Sequence, residues 1–132
     1  MNHSTRPSGK LLTMGYWIST ILLAASMFAL GVLYLISPQF QEAFRHLGFP
    51  NYFRIELAIA KLIGSPMFVV PNFPRVREWA YAGFSITFIS AFIAHMSSGD
   101  SKEAPAPLFF LIVLAVSYVT YRRRKASEFS AD

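Results

Sequence analysis

Residues 14–36 read MGYWISTILLAASMFALGVLYLI, a run of 23 residues that carries no charged side chain. As an α-helix this run is roughly 34 Å long, because each residue adds about 1.5 Å along the axis. The hydrocarbon core of a bilayer is about 30 Å thick, so the run can cross it with some tilt. It therefore predicts a membrane-spanning helix.

Three further apolar segments follow the first, at residues 55–70, 76–96 and 107–121. The earliest of them contains Gly64-Ser65-Pro66, and a proline inside a helix removes one backbone hydrogen bond, so we expect a kink there. The last is roughly 22 Å long as a helix and relies on the long side chain of Arg122 to reach the membrane surface.

These four segments predict an all-α protein, a four-helix transmembrane bundle with up-down-up-down topology. We expect one integral membrane domain over residues 1–132, with tails at 1–12 and 122–132. A signal peptide is the competing interpretation of the first run, since Arg6 and Lys10 precede it. The length of the run and the apolar segments that follow favour a retained helix.

A short interfacial helix is predicted between the first two spans. Ser37-Pro38 is typical of a helix start, and Gly48 is typical of a helix end. Between them, three apolar residues recur at helical spacing: Phe40, Phe44 and Leu47. The opposite face is polar, which is the pattern of a helix that lies along a membrane surface.

Composition excludes several classes of function. The chain is 54% hydrophobic and 14% charged, far less charged than the roughly 25% of a soluble domain. It has no cysteine, which excludes disulfides and thiolate metal sites. The net charge is +5, but the basic residues lie at the ends of apolar segments, so they indicate membrane topology rather than nucleic-acid binding.

Four spans place both termini on one side of the membrane. Most basic residues then lie on that side: Arg6, Lys10, Arg75, Arg77, Arg122, Arg123, Arg124 and Lys125. The other side has Arg45, Arg54 and Lys102. Cytoplasmic loops carry the excess of Lys and Arg, so we expect both termini in the cytoplasm. An inner aromatic belt is expected from Tyr16, Trp17, Trp79, Tyr81, Tyr118 and Tyr121.

Two of the apolar segments contain a charge: Lys61 lies within residues 55–70, and Glu78 lies near the start of residues 76–96. Ionisable groups inside membrane segments are costly, so a functional role is the default interpretation. Counting from the turn that joins the two segments puts Lys61 roughly 15 Å deep and Glu78 about 3 Å deep. We therefore predict two separate clusters rather than a direct pair.

The candidate ligand-binding residues are Lys61, Glu78, His95, Glu56 and Ser85. The outer cluster would combine Lys61 with Glu56 and His95, with Ser85 and Ser90 nearby. Glu56 and Lys61, however, lie about 140° apart around a helix. The inner cluster would combine Glu78 with Tyr16, Ser117 or Tyr118.

Structural roles for both charges stay open. Lys61 could extend to the membrane surface, or donate to the Leu62 carbonyl that Pro66 leaves without a donor. Glu78 could form an interfacial salt bridge to Arg75, Arg77 or an arginine of the C-terminal tail.

No metal site or catalytic motif is predicted. Haem ligation by two histidines would require His46 and His95 to converge. The chain has no Ser-His-Asp order and no glycine-rich phosphate loop, so catalytic residues stay unknown and the question of enzymatic activity is left open.

Several short motifs resemble the DoxX-like family of small four-span bacterial membrane proteins. The most specific is Glu78-Trp79-Ala80-Tyr81-Ala82-Gly83-Phe84 with its upstream lysine. The others are Leu47-Gly48-Phe49-Pro50, Tyr52-Phe53, Lys61-Leu62-Ile63-Gly64, Pro71, His95, Gly99-Asp100 and Ser117-Tyr118. One departure is Ala58, where members often carry glycine, and this could alter how closely another helix approaches.

The resemblance implies a protein of the bacterial inner (plasma) membrane that is associated with redox processes. The wider DoxX superfamily includes a subunit of a thiosulfate:quinone oxidoreductase, so a quinone is the candidate small amphipathic ligand. The alternatives are a non-catalytic accessory or assembly subunit, or a small transporter. The expected partners are the lipid bilayer and either a membrane redox protein or a second copy of the chain, with no nucleic acid.

The predicted orientation can be tested with a reporter fused after Asp132. Because the basic residues and the aromatic belt favour cytoplasmic termini, we expect a reporter that works only in the cytoplasm to be active and one that works only in the periplasm to be silent. Periplasmic activity would overturn the orientation.

Overall fold

A computed structural model describes the backbone of residues 7–131 and the side chains of residues 9–126. In that part of the chain the structure is all-α, as predicted, and contains no strand. Its elements are α1 (Pro7–Ile36), α2 (Pro38–His46), α3 (Asn51–Gly64), a 3-10 helix (Ser65–Phe68), α4 (Pro74–Ser97) and α5 (Pro105–Ala131).

Helices α1 and α5 extend into the segments predicted as tails. α1 begins at Pro7, and α5 continues past Arg122 to Ala131. No proline or glycine interrupts α5 beyond Pro107, and the Arg-Lys run after Tyr121 consists of good helix formers. Residues 1–6 and 132 of the predicted tails lie outside the described part of the chain.

Three helices in the described part are long and apolar enough to cross a membrane: Gly9–Ile36, Pro74–Ser97 and Pro105–Ala126. The second predicted span divides, as the kink at Gly64-Ser65-Pro66 leads one to expect, into α3 and the 3-10 helix. With 14 residues, α3 is too short to span by itself. The four-span bundle therefore stays a prediction.

The short helix after α1 forms where it was predicted. α2 begins after Ser37, whose side chain makes no capping bond, and ends before Gly48, which has a φ of +87°. A positive φ suits glycine because it has no Cβ. Phe44 is the buried residue of α2 and packs against the rings of Tyr34 and Phe53.

The inward face of α3 carries two cations. Arg54, Ala58 and Lys61 are the buried residues of this helix, and side chains four and seven apart lie on one helical face. Each is at most 4% exposed. α3 therefore turns Arg54 and Lys61 away from its own outer surface, where the apolar side chains of Ile55, Ile59 and Ile63 are exposed.

This face of α3 packs against α1, and we call the contact the α1–α3 seam. Three residue pairs meet across the seam in antiparallel order. Arg54 donates to the Tyr34 carbonyl, the Ala58 carbonyl faces Gly31, and Lys61 contacts Met27. A Cβ on Gly31 would lie 3.1 Å from the Ala58 carbonyl oxygen and 3.0 Å from Cγ of Leu62. The close approach anticipated near Ala58 is thus provided by a glycine on the opposite helix.

The expected inner aromatic belt separates into two groups. Tyr16, Tyr81 and Tyr121 are at most 6% exposed and pack together, whereas Trp17 and Trp79 are 40% and 71% exposed. Two of these tyrosines have a hydroxyl partner inside: Tyr81 bonds to Ser117, and Tyr16 donates to the Phe68 carbonyl. We call this end of the molecule the tyrosine end.

The α1–α3 seam can be tested by adding one methyl group. Gly31→Ala puts its Cβ against backbone, which cannot move without shifting a helix, so we expect a loss of about 1–3 kcal/mol in unfolding free energy. The measurement is thermal unfolding of the protein in detergent. Gly83→Ala is the matched control, because no atom lies within 4 Å of the added Cβ. Equal stability of the two variants would contradict the close approach.

Candidate functional site

The amine of Lys61 lies in a box of soft groups. Nζ is 3.6 Å from Sδ of Met27 and lies 5.4, 5.5 and 5.8 Å from the ring centroids of Tyr34, Phe84 and Phe88. We call these four side chains the Lys61 box. Among the described residues no carboxylate lies within 4.0 Å of Nζ. Neither extension to the surface nor a bond to the Leu62 carbonyl describes this side chain.

The box compensates only part of the cost of burying a cation. Desolvated cation–π contacts contribute on the order of 2 kcal/mol, whereas taking an ammonium out of water costs several kcal/mol. A thioether sulfur is a weak acceptor. The amine of Lys61 is therefore short of strong hydrogen-bond acceptors, and a carbonyl or anionic oxygen brought close to it would be stabilised.

A cavity of about 660 Å³ opens from the box towards α2. Its deep part is apolar apart from Lys61 and includes Met27, Phe88 and Phe110. The residues around its mouth are polar or charged: Glu42, His46, His95, Asp100 and Glu103. We call it the α2 cavity. It changes from charged to apolar along its depth, which is the polarity profile of a site for an amphipathic molecule.

A second, smaller opening of about 280 Å³ lies between α3 and α4. Its lining is apolar except for Lys61 and Thr87, and it includes the exposed Trp79. We call it the α3–α4 groove. Lys61 and Thr87 line the α2 cavity as well, so the two openings share these two side chains.

His95 lies at the mouth of the α2 cavity, so the structure places two members of the predicted outer cluster around one cavity. Its Nδ1 is buried without a hydrogen-bond partner among the described residues and is 3.9 Å from Oδ2 of Asp100. Nε2 of His46 is 2.9 Å from the same oxygen. Asp100 was missed as a site residue; its signal was the Gly99-Asp100 motif, which carries no chemistry by itself.

Three other serine and glutamate candidates do not join Lys61. Glu56 is exposed and lines neither opening, because it lies about 140° around the helix from Lys61. Ser85 donates to the carbonyl of Tyr81, one turn earlier in the same helix, at 2.7 Å. Ser90 is exposed. The outer cluster is therefore smaller than the sequence indicated.

Glu78 forms the interfacial salt bridge that was the alternative interpretation. Its Oε1 is 3.3 Å from Nη1 of Arg122, and the two side chains are 33% and 59% exposed. Exposed pairs of this kind contribute about 0–1 kcal/mol. Glu78 is thus in a different place from Lys61, as predicted, but it pairs with an arginine rather than with Tyr16, Ser117 or Tyr118.

A chain of buried hydroxyl groups joins three helices near the tyrosine end. Oγ of Ser117 on α5 is 2.6 Å from Oγ1 of Thr20 on α1 and 2.8 Å from the hydroxyl of Tyr81 on α4. Buried hydroxyls pair with one another where hydrocarbon offers no partner. This chain was not predicted, because nothing in the local sequence shows that three distant residues meet.

No metal centre emerges from the described side chains. Among residues 9–126, no group of three or more His, Asp or Glu side chains is placed to hold a metal ion. His46 and His95 both lie near Oδ2 of Asp100, at 2.9 and 3.9 Å.

Comparison with known proteins bears on residues 18–117, which match a family model described as the DoxX-like family. The chain belongs to the DoxX-like family. The match covers more than half of the chain and contains Lys61, Glu78 and His95. No curated protein and no solved structure matches. The matched part of this DoxX-like protein includes the whole Lys61 box.

Ser117 is the shared member of the hydroxyl chain, so its removal should affect two partners. We expect Ser117→Ala to lower the unfolding free energy by about 1–2 kcal/mol, because the hydroxyls of Thr20 and Tyr81 both lose a buried partner. Thr120→Val is the control, since Thr120 bonds only within its own helix. Similar thermal unfolding of both variants in detergent would show that the chain does not join the helices.

Proposed function

We propose that this DoxX-like protein binds a small amphipathic molecule with a carbonyl-bearing head group, such as a quinone, and takes part in a membrane redox process. The observation that carries the proposal is Lys61, a 4% exposed residue that lines two openings and whose amine is held by a thioether and three rings. Among the described residues its hydrogen-bond acceptor is the weak thioether of Met27, so the oxygen of a ligand would be a stronger acceptor.

The α2 cavity suits the head group of such a molecule. Its volume of about 660 Å³ falls within the roughly 300–1,000 Å³ of small-molecule sites. The flat ring of a quinone can stack on Phe88 or Phe110 while Lys61 donates a hydrogen bond to one of the quinone's carbonyl oxygens. His95, with its Nδ1 buried and unpaired among the described residues, is the second polar group that a head group could meet.

The α3–α4 groove suits the apolar tail. It faces the side of the molecule that carries exposed apolar side chains, and its wall is apolar away from Lys61 and Thr87. A tail lying there would leave the helices sideways and stay in the hydrocarbon. The head group would then reach Lys61 from the bilayer without crossing the charged mouth of the α2 cavity.

The redox part of the proposal is supported by the family rather than by the geometry. The protein would bind and orient the quinone while a redox partner supplies the electrons. A non-catalytic accessory subunit is the other candidate, and it would need a stable protein partner instead of a ligand.

The topology proposed with this function keeps four spans. α3 and the 3-10 helix together are roughly 29 Å long, close to the thickness of the hydrocarbon core. Their cations point at α1 instead of lipid, which supports placing this segment in the membrane. We propose that it crosses the bacterial inner membrane with both termini in the cytoplasm, and that low hydropathy reflects its inward-facing charges.

Replacing Lys61 separates a ligand site from a structural lysine. With a decyl-substituted benzoquinone at about 100 times its Kd, the wild-type protein should gain about 2.7 kcal/mol of stability. Lys61→Met keeps the length and apolar stem, so it should fold in detergent yet lose most of this gain in a thermal unfolding assay.

Lys102→Met is the matched control, because it removes the same charge from an exposed loop position that lines neither opening. It should keep the full stabilisation. A folded Lys61→Met protein that the quinone stabilises as strongly as wild type would remove Lys61 from the site. Failure of the quinone to stabilise wild type, together with a protein retained in a mild-detergent pull-down, would favour the accessory subunit.

A further inference from the structure

Three basic side chains converge on one groove at the tyrosine end, far from the Lys61 box. Arg77 of α4 and Arg124 and Lys125 of α5 line an opening of about 340 Å³, together with Tyr121 and Asn72. We call it the basic groove. Its charge is concentrated: the described side chains that line it include three cations and no carboxylate.

Aromatic rings hold these cations in place. The guanidinium carbon of Arg77 lies 5.1 Å from the Tyr121 ring centroid, and Nζ of Lys125 lies 5.8 Å from the same centroid. Arg124 lies over the ring of Tyr16 at 4.8 Å. A guanidinium whose face rests on a ring keeps its N–H groups pointing outwards from the edge, where they can donate to an oxyanion.

Arg77 is only partly satisfied by the protein. Its Nη2 donates to the Val70 carbonyl at 2.7 Å, which fixes the side chain, but its Nε is buried and has no hydrogen-bond partner among the described residues. Orphaned buried donors are rare in native structures. An acceptor from outside the protein would satisfy this N–H.

A salt bridge forms next to the basic groove, whereas the described cations of the groove itself form none. Arg122 pairs with Glu78, outside the groove. Among the described residues, Arg77, Arg124 and Lys125 form no salt bridge. Three cations so close together repel one another unless an anion lies between them.

The depth of the groove indicates the source of the anion. Trp17 and Trp79 are exposed at the same end of the molecule, and exposed tryptophans on membrane proteins lie at the level of the lipid head groups. Basic pockets between membrane helices on the cytoplasmic side are sites for anionic lipid head groups. We propose that the basic groove binds the phosphate of an anionic phospholipid. This site is separate from the proposed ligand site, so each can fail without the other.

The test is thermal unfolding of the full chain in neutral detergent with added phosphatidylglycerol. The buffer contains 1 M salt, which screens charge interactions beyond about 3 Å, so that direct contact in the groove is measured rather than long-range attraction. Phosphatidylcholine with the same acyl chains and inorganic phosphate are measured in parallel. We expect saturable stabilisation by phosphatidylglycerol. Phosphatidylcholine and inorganic phosphate should each need at least a tenfold higher concentration to produce the same shift in unfolding temperature.

Two variants and a control assign the effect to the groove. Arg124→Gln and Lys125→Gln should each raise the half-saturating lipid concentration at least fivefold. The side chain of Lys125 makes no hydrogen bond to the described residues, so its replacement should not impair folding. Arg123→Gln, an exposed neighbour outside the groove, should leave it within twofold. Equal stabilisation by phosphatidylcholine, equal stabilisation by inorganic phosphate, or an equal loss in Arg123→Gln would overturn the proposal.

Discussion

The α1–α3 seam is the contact on which the other features of this protein depend. In the proposed four-span topology α3 lies in hydrocarbon, which cannot solvate a cation, so Arg54 and Lys61 must face protein. They lie seven residues apart, on one side of α3, and that side meets α1. Gly31 lets the helices approach closely enough for Arg54 to reach the Tyr34 carbonyl and for Lys61 to reach Met27. An apolar α3 could pack in many rotations, whereas these two charges allow one.

The seam also explains why the interior has openings. α3 is held against α1, and α4 packs against the 3-10 helix and α5, so a groove remains between α3 and α4. Lys61 lines both that groove and the α2 cavity. At the tyrosine end, by contrast, the hydroxyl chain through Ser117 joins α1, α4 and α5. The basic groove at that end shares no lining residue with the two openings at Lys61, so the two proposed sites are separate.

Much of the fold could be predicted from the length of the apolar runs and from the local chemistry of helix ends. Uninterrupted apolar runs predicted the long helices, Ser37-Pro38 and Gly48 predicted the bounds of α2, and helical depth separated Lys61 from Glu78. Contacts between residues far apart in the sequence could not be predicted in this way. Arg54 was predicted only to lie on the non-cytoplasmic side of the membrane. Its burial depends on how α3 packs against Gly31 of α1. The tyrosines were expected at the level of the lipid head groups because Tyr and Trp share a preference for the membrane interface. Only a buried partner such as Ser117 distinguishes the tyrosines from the tryptophans.

The most direct measurement of a ligand site at Lys61 is photo-crosslinking with an azido-substituted benzoquinone, followed by peptide mapping of the adducts. We predict labels on side chains that line the α2 cavity, chiefly Tyr34, Phe88 and Phe110, and loss of those labels when an excess of unlabelled quinone competes. Labels confined to lipid-facing residues such as Ile18, Ile86 and Ile112, unaffected by the competitor, would show that the quinone only dissolves around the protein. That result would contradict the proposal that Lys61 holds a ligand between the helices.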